Sequence, residues 1–454
     1  MTWHALDTAT TLTAVSAAWA CVLPGLWLVL RRHSMMGDAI AHAALLGIVG
    51  AFLTVGFAES AGWITDDQFD LAADVALLIG AAGVGLATAW LTEWVQHAGR
   101  LDPGAALGVV FSSLFALGLV LVRLTADAAH IDLDCVLFGD LNSAVWNLVP
   151  GTRLPQAAAQ NLAACLVNGV LTLLLFKELR ISSFDPEHAA ALGLRPRLVH
   201  HLLLAMTSVT VVAAFRTVGS ILVIALLVVP TATALLLTRS LRATLGLALL
   251  IATAAGVLGH LAARTLPAIV FSRWGITDAG TAGMVCVIAG LLFVAAWLLS
   301  PRGGLLPTWW RRLSTTIDVA AEDLLGGLYR LEERGLQPDQ DAVLAVVGRR
   351  FGAGDWLMRL ARNRLRDAGD LRLEATPTGP RWQLTDPGRE KARQLIRVHR
   401  LWESYLAKHF ALEGDHLHDP AMRAEHAIDA DLADRLAEEL GRPKEDPHGR
   451  PIPE

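Results

Sequence analysis

Residues Met35–Leu53 read MMGDAIAHAALLGIVGAFL, an apolar run interrupted by Asp38 and His42. On a helix, residues four apart share a face, one turn from each other. An ionisable group at the centre of a bilayer-spanning helix costs about 3 kcal/mol or more, so such groups usually face a protein interior and serve a function. A carboxylate oxygen and an imidazole nitrogen on one face form a pair that a divalent first-row metal accepts. The same residues allow a structural reading, with Asp38 capping the helix and His42 a packed polar residue.

The whole chain agrees with a membrane setting. Its 454 residues are 54% hydrophobic and only 18% charged, with mean hydropathy +0.45. That is too apolar for a soluble enzyme of this size and points to a polytopic membrane protein. The net charge of −5 says little, because charges are sparse to about Ser300 and dense beyond it. Cys21, Cys135, Cys165 and Cys286 all lie in the apolar part without CxxC spacing, as packing residues do. The first residues lack the basic start and small-residue cleavage site of a signal peptide.

Runs of about 20 apolar residues fit a hydrocarbon core about 30 Å thick. Nine are predicted: Thr10–Leu30, Gly37–Gly56, Leu71–Leu91, Gly104–Val122, Gln160–Phe176, Leu198–Phe215, Val218–Thr238, Thr244–Ala262 and Ala279–Leu299. Basic residues cluster after the odd-numbered spans: Arg31 and Arg32, Arg100, then Lys177 and Arg180, Arg239 and Arg242, and Arg302. The positive-inside rule then places the N-terminus outside and the long C-terminal region in the cytoplasm. Arg264 and Arg273 fall on the predicted outside, against the rule.

Two connections carry polar chemistry. The outer one, Arg123–Gln156, contains His130, Asp132, Asp134 and Asp140 in HIDLDCVLFGD. Acidic groups at a pore mouth attract cations; a solvated loop packed on the bundle fits the residues equally. The inner one reads KELRISSFDPEHAAALGLRP from Lys177 to Pro196. Asp185 is placed to cap a short helix opening on Pro186, with Glu187 in its first turn and Gly193 near its end. Such a helix suits docking of a separate motor subunit, and equally an ordinary capped connector.

RRHSMMGDAIAHAALLGIVGAFL, DLDCVLFGDL, KELRISSFDPEHAAALGL and ILVIALLVVPTATALL stand in an order and spacing that resembles the permease subunits of zinc, manganese and chelated-iron ABC transporters. The likeness covers about Ala14–Leu299. It implies a homodimeric or paralogue-paired permease, a separate ABC ATPase inside and an extracytoplasmic metal-binding protein outside. By this resemblance Asp38 and His42 hold the passing metal, and Phe184, Asp185, Pro186, Glu187, Ala191 and Gly193 form the ATPase-coupling helix. The chain has no G-x-x-x-x-G-K-[ST] loop, in keeping with ATP hydrolysis in another subunit. Pro230, inside span seven, frees a carbonyl that would line a path, or simply kinks the helix.

Past Ser300 the composition changes. Pro301–Thr316, with Gly303, Gly304 and Pro307 as breakers, reads as a linker whose Trp309–Arg312 run anchors at the interface. Residues 317–454 are charged and helical in pattern, long enough for a soluble domain. Ile317–Gly335, Asp341–Phe351 and Asp355–Asp367 are expected helices. Alternation over Leu371–Leu384 about the PTGPR turn predicts a two-stranded wing, so residues 317–391 suggest a winged helix. Its arginines, among them Arg359, Arg362, Arg364 and Arg366, suit phosphates or a solvated face. From residue 392, Asp386–Phe410 continues as a helix bearing His399 and Glu403 on its apolar face. His418, Met422, Glu425 and His426 then fall on one helical stripe; with His399 they offer a transition metal nitrogen, oxygen and sulfur. Asp429–Gly441 is a last helix.

LLGGLYRLEERG, LTDPGREKA, VHRLWESYL, AEHAIDADLADRLAEELGRP and PHGRPIP make this second half similar to the diphtheria-toxin-repressor and manganese-transport-regulator family. The resemblance places Asp323, Met422, Glu425 and His426 on a main metal site and His399, Glu403 and His418 on a second. Gly326 stands where manganese-type members carry another acidic ligand, and GAGDWLMRLARNRL lacks their Ser/Thr/Gln-rich recognition-helix start. The expectation is an all-α polytopic permease, residues 1–300, for manganese, iron or zinc. It is joined through residues 301–316 to a cytoplasmic winged-helix and metal-binding, dimerising region that senses metal. The other readings are a membrane-tethered, DNA-binding metal regulator and an exporter.

Overall fold

A computed structural model describes residues 3–62, 66–129, 141, 146–270, 273, 279–335, 355–376, 379–410 and 416–453. It divides into two units, Met1–Pro307 and Thr308–Glu454.

The first unit is a helical bundle: α1 Ala5–Leu30, α2 Ser34–Ser60, α3 Asp66–Gly99, α4 Pro103–Ala129, α5 Gln156–Leu174, α6 Phe176–Phe184, α7 Pro186–Ala191, α8 Pro196–Leu237, α9 Leu241–Val270 and α10 Thr281–Leu299. Among the described residues nine segments are long and apolar enough to cross a membrane, as the sequence predicts. α8 supplies two of them, Pro196–Phe215 and Thr217–Leu237. Near the start of the second, Gly219 takes φ +74° and kinks α8 at a conformation that costs glycine little.

α1 lies at the centre, packed on α5, α8 and α9. Its buried face is built from small residues, Ala14, Ala17, Ala18 and Cys21, which let backbones approach where lipid offers no hydrophobic drive. The closest approach is at Gly25, where a Cβ would sit 2.0 Å from the Leu227 carbonyl oxygen. Asn168 braces the same region: its amide donates to the Ala20 carbonyl at 3.2 Å and the Thr210 hydroxyl at 2.6 Å.

Polar contacts sort the helix ends. At one end Asp7 of α1 meets His260 of α9 at 3.2 Å and also pairs with Arg264. At the other, Arg31 donates to Ser182 and Ser183 of α6, and Ser300 donates to the Leu236 carbonyl. Arg264, an exception to the charge rule by sequence, therefore has its charge matched by a buried carboxylate. The short helix α7 forms as expected: Asp185 accepts from the His188 N–H at 2.8 Å, and Gly193 takes φ +80° just past its end. His130, Asp132, Asp134 and Asp140 lie outside the described residues.

The second unit contains most of α11 Leu305–Glu333, then α12 Asp355–Asp367, β1 Leu371–Thr376, β2 Gly379–Leu384, α13 Asp386–Phe410, α14 His418–Ala424, a 3-10 turn Glu425–Ala427 and α15 Ala430–Glu439. The wing is present, antiparallel, with Leu371 opposite Leu384. The expected helix Asp341–Phe351 lies outside the described residues. The predicted break at Pro307 does not occur. α11 starts at Leu305, so Pro307 sits in its first turn, where the missing N–H has no helical partner to lose. Leu324, Leu325 and Leu328 of α11 bury against Leu357, Ala361 and Ala392. Gly326 lies where α11 meets α13: a Cβ there would touch Leu395 at 3.3 Å.

Candidate metal centres

In the membrane unit, α2 begins at Ser34 with His33 as its N-cap. Asp38 therefore lies beyond the first turn and does not cap the helix. Its Oδ1 is 3.2 Å from His42 Nε2, and the imidazole packs against the Phe115 ring of α4 at 5.3 Å between centroids. The helical spacing read from the sequence thus produces a direct carboxylate–imidazole pair with an aromatic wall.

In the second unit, α13, α14, the 3-10 turn and α11 bring two donor sets together. The first is His399, Glu403 and His418; the second is Asp323, Glu425 and His426, and within each set the ligand atoms lie within 4.8 Å of one another. Glu403 Oε1 is 3.0 Å from both His399 Nε2 and His418 Nδ1. The other face of His399, Nδ1, meets Glu425 Oε2 at 2.5 Å. The Glu425 carboxylate therefore stands between the sets. Asp323, His399, Glu403 and Glu425 are all buried. Met422 is partly buried in α14, one turn before the 3-10 residues Glu425 and His426.

The second set has the electrostatics of a cation site. His426 Nδ1 lies 2.6 Å from Glu322 Oε2, which orients the ring. Its Nε2 is buried and faces Asp323 Oδ1 at 3.2 Å and Glu425 Oε1 at 3.8 Å. Such a nitrogen, beside two carboxylates, is what a metal ligand requires. Burial would lower the His426 pKa, but hydrogen bonds and charges from Asp323, Glu322 and Glu425 override it and raise it to about 9. Burial would likewise raise Glu403, but hydrogen bonds from His399 and His418 hold it well below the carboxylate range.

A pH dependence follows. His426 must lose its proton to ligate, and its folded pKa of about 9 lies above the free value of 6.5. Metal affinity of this set is expected to rise about tenfold per pH unit as pH increases toward 9, one proton being released per ion. Without metal the sign reverses for folding. The stabilisation from protonated His426 is complete below pH 6.5 and is lost as pH rises through about 9. Mn2+ titration by calorimetry at pH 6.5, 7.5 and 8.5 checks the first; an affinity independent of pH would contradict it.

Residues 4–300 match the ABC 3 transport family, and residues 385–454 match the iron dependent repressor, metal binding and dimerisation domain. The chain belongs to the ABC 3 transport family. It is similar to the manganese transport system membrane protein MntD of Bacillus subtilis, 37% identical over 65% of this chain and 92% of that one. The zinc transport system membrane protein TroD of Treponema pallidum is 37% identical over 65% of this chain and 74% of its own. Among solved structures, PsaBC from Streptococcus pneumoniae in complex with Fab superposes with TM-score 0.53 at 25% identity, over 68% of this chain and 96% of that one. The chain is thus an ABC 3 permease carrying a repressor-like C-terminal region.

Sequence reasoning missed Glu322. Its partner His426 lies 104 residues away, and nothing local marks the one carboxylate beside Asp323 that turns toward a distant ring. Also missed in this ABC 3 permease was the Asp7–His260–Arg264 network, in which His260 Nδ1 further contacts the Thr281 hydroxyl at 3.3 Å. Its only sequence signal was two ionisable groups one turn apart in an apolar run, at His260 and Arg264.

Proposed function

We propose that the chain is the permease subunit of an importer for a divalent transition metal, manganese first, with iron and zinc behind it. The Asp38–His42 pair, 3.2 Å apart within an otherwise apolar helix, carries this reading. One hard and one borderline ligand suit Mn2+, Fe2+ and Zn2+. Relatives named for manganese and zinc transport support the class. Radiolabelled Mn2+ uptake by the reconstituted complex, with Fe2+ and Zn2+ as competitors, tests it.

The energy source is an ABC ATPase that engages α7, and a metal-binding protein delivers the ion on the opposite face. The permease pairs with a second copy or a paralogue in a bacterial-type plasma membrane, with its N-terminus outside and its C-terminal region in the cytoplasm. Phe184 and Leu192 flank α7 at 67% and 56% exposure, and Ala191 is exposed beside them. An apolar rim around a capped helix suits a partner's cleft. Ala191→Trp is expected to leave ATP hydrolysis within about twofold while uptake falls at least about tenfold, about 1.4 kcal/mol of lost coupling. ATP turnover and Mn2+ uptake measured on the same proteoliposomes check this; parallel change in both would speak against docking at α7.

In the C-terminal region Asp323, Glu425, His426 and Met422 hold one resident metal, and His399, Glu403 and His418 a second. Bound ions would supply positive charge facing these carboxylates and so tie α11, α13, α14 and the 3-10 turn to one another. We read this as sensing of cytoplasmic metal that restrains transport. Tethered DNA binding is the weaker reading. Arg364 is engaged with Asp318 at 3.2 Å, and the Arg362 guanidinium lies 5.4 Å from the Trp382 ring centre.

A further inference from the structure

The helix end that carries Arg31 and α6 holds a second cluster of imidazole and carboxylate groups, drawn from three elements. Glu93 of α3 reaches His200 of α8, Oε1 to Nε2 at 3.2 Å, and its Oε2 lies 3.9 Å from His201 Nε2. The His33 ring, at the N-cap of α2, lies 5.2 Å from the His200 ring. His33 Nδ1 is buried and makes no hydrogen bond. Packing alone accounts for a Glu93–His200 hydrogen bond, but not for a third ring presenting an unsatisfied buried nitrogen beside it.

The guanidinium of Arg31, two residues before His33, donates to Ser182 and Ser183 of α6. Glu93 and His201 keep the cluster open, with side chains 37% and 45% exposed. His33 directly precedes the helix that carries Asp38. Five residues at a rise of about 1.5 Å place the two roughly 7.5 Å apart along the axis of α2. Both groups offer the same chemistry, carboxylate oxygen with imidazole nitrogen, donors that divalent first-row cations accept.

We propose that the Glu93–His200 pair, with His33 and His201 at its margin, forms a second station for the transported divalent cation, at the mouth of the path next to Asp38 and His42. The inference rests on the reading of that pair as a cargo site. A nearby second site lets an ion leave the first without returning to water at full desolvation cost.

The test counts Mn2+ bound to the full-length chain in detergent by equilibrium dialysis, with the C-terminal ligands intact throughout. His33→Ala/His200→Ala is expected to lose one equivalent, Asp38→Ala/His42→Ala another, and the combined variant both. If Asp38→Ala/His42→Ala loses none while the His33/His200 variant loses one, the cargo reading of the first pair falls and this station stands. Retention of every equivalent by the His33/His200 variant overturns it. His200→Cys guards against a folding defect: it is expected to keep the equivalent but shift preference toward Cd2+ over Mn2+ by at least tenfold, because thiolate is a softer ligand. A folded His200→Cys protein with unchanged preference also overturns the proposal.

Discussion

Mn2+ uptake is expected to fall more than about 100-fold in Asp38→Ala and in His42→Ala, since losing even an outer hydrogen-bond partner of a metal ligand costs about 10–100-fold. Each side chain supplies one donor of a two-donor pair 3.2 Å apart. Either loss leaves the ion a single donor beside the Phe115 ring. Neither residue braces the bundle, whose central contacts run through α1 and α8, so both variants should assemble at normal levels. Asp38→Glu, which keeps the charge but displaces it by one methylene, should fall between wild type and alanine. Uptake assays beside size-exclusion profiles decide the matter; normal uptake in both alanine variants would sink the assignment.

Loss of metal feedback is the second large effect expected. Raising Mn2+ inside proteoliposomes should slow uptake by the intact chain several-fold. Glu425→Ala should abolish that restraint, because Glu425 touches both donor sets, through His399 at 2.5 Å and His426 at 3.8 Å. A chain ending at Thr316 should behave alike. Metal shifts a transporter only by its difference in affinity between two states, and a tenfold difference yields about 1.4 kcal/mol. A several-fold effect is therefore within reach of one ion per chain. Unchanged inhibition in the truncated chain would overturn the reading. So would a purified full chain that binds operator DNA tightly and no metal.

The membrane half was legible because composition alone separates lipid-facing helices from water. The nine runs recur as helices, although α3 extends to Gly99, well beyond the predicted Leu91, since Thr92, Glu93 and Trp94 continue a helix as readily as apolar residues do. Asp38 and His42 were legible because four-residue spacing is itself a geometry. The same spacing put Glu403 beside His399; Glu425 and His426 were read on one helical stripe with His418, whereas a 3-10 turn carries them to Asp323. Contacts that join remote segments were not legible. Glu93 with His200, Asp7 with His260 and Glu322 with His426 depend on packing that no local pattern encodes. The linker was misread at Pro307 because a proline's effect depends on its position in a turn: three residues later it would have broken α11.

Phe184 and Leu192 bear on how the cell keeps count of this subunit. Two large exposed apolar side chains beside α7 are the kind of mark that chaperones and quality-control proteases recognise. A permease inserted without its partner would display that mark continuously, whereas an assembled one would hide it. The surface proposed to engage the ATPase would then also serve as a tag for clearance of orphan chains. Subunit ratio would be set by degradation as well as by synthesis.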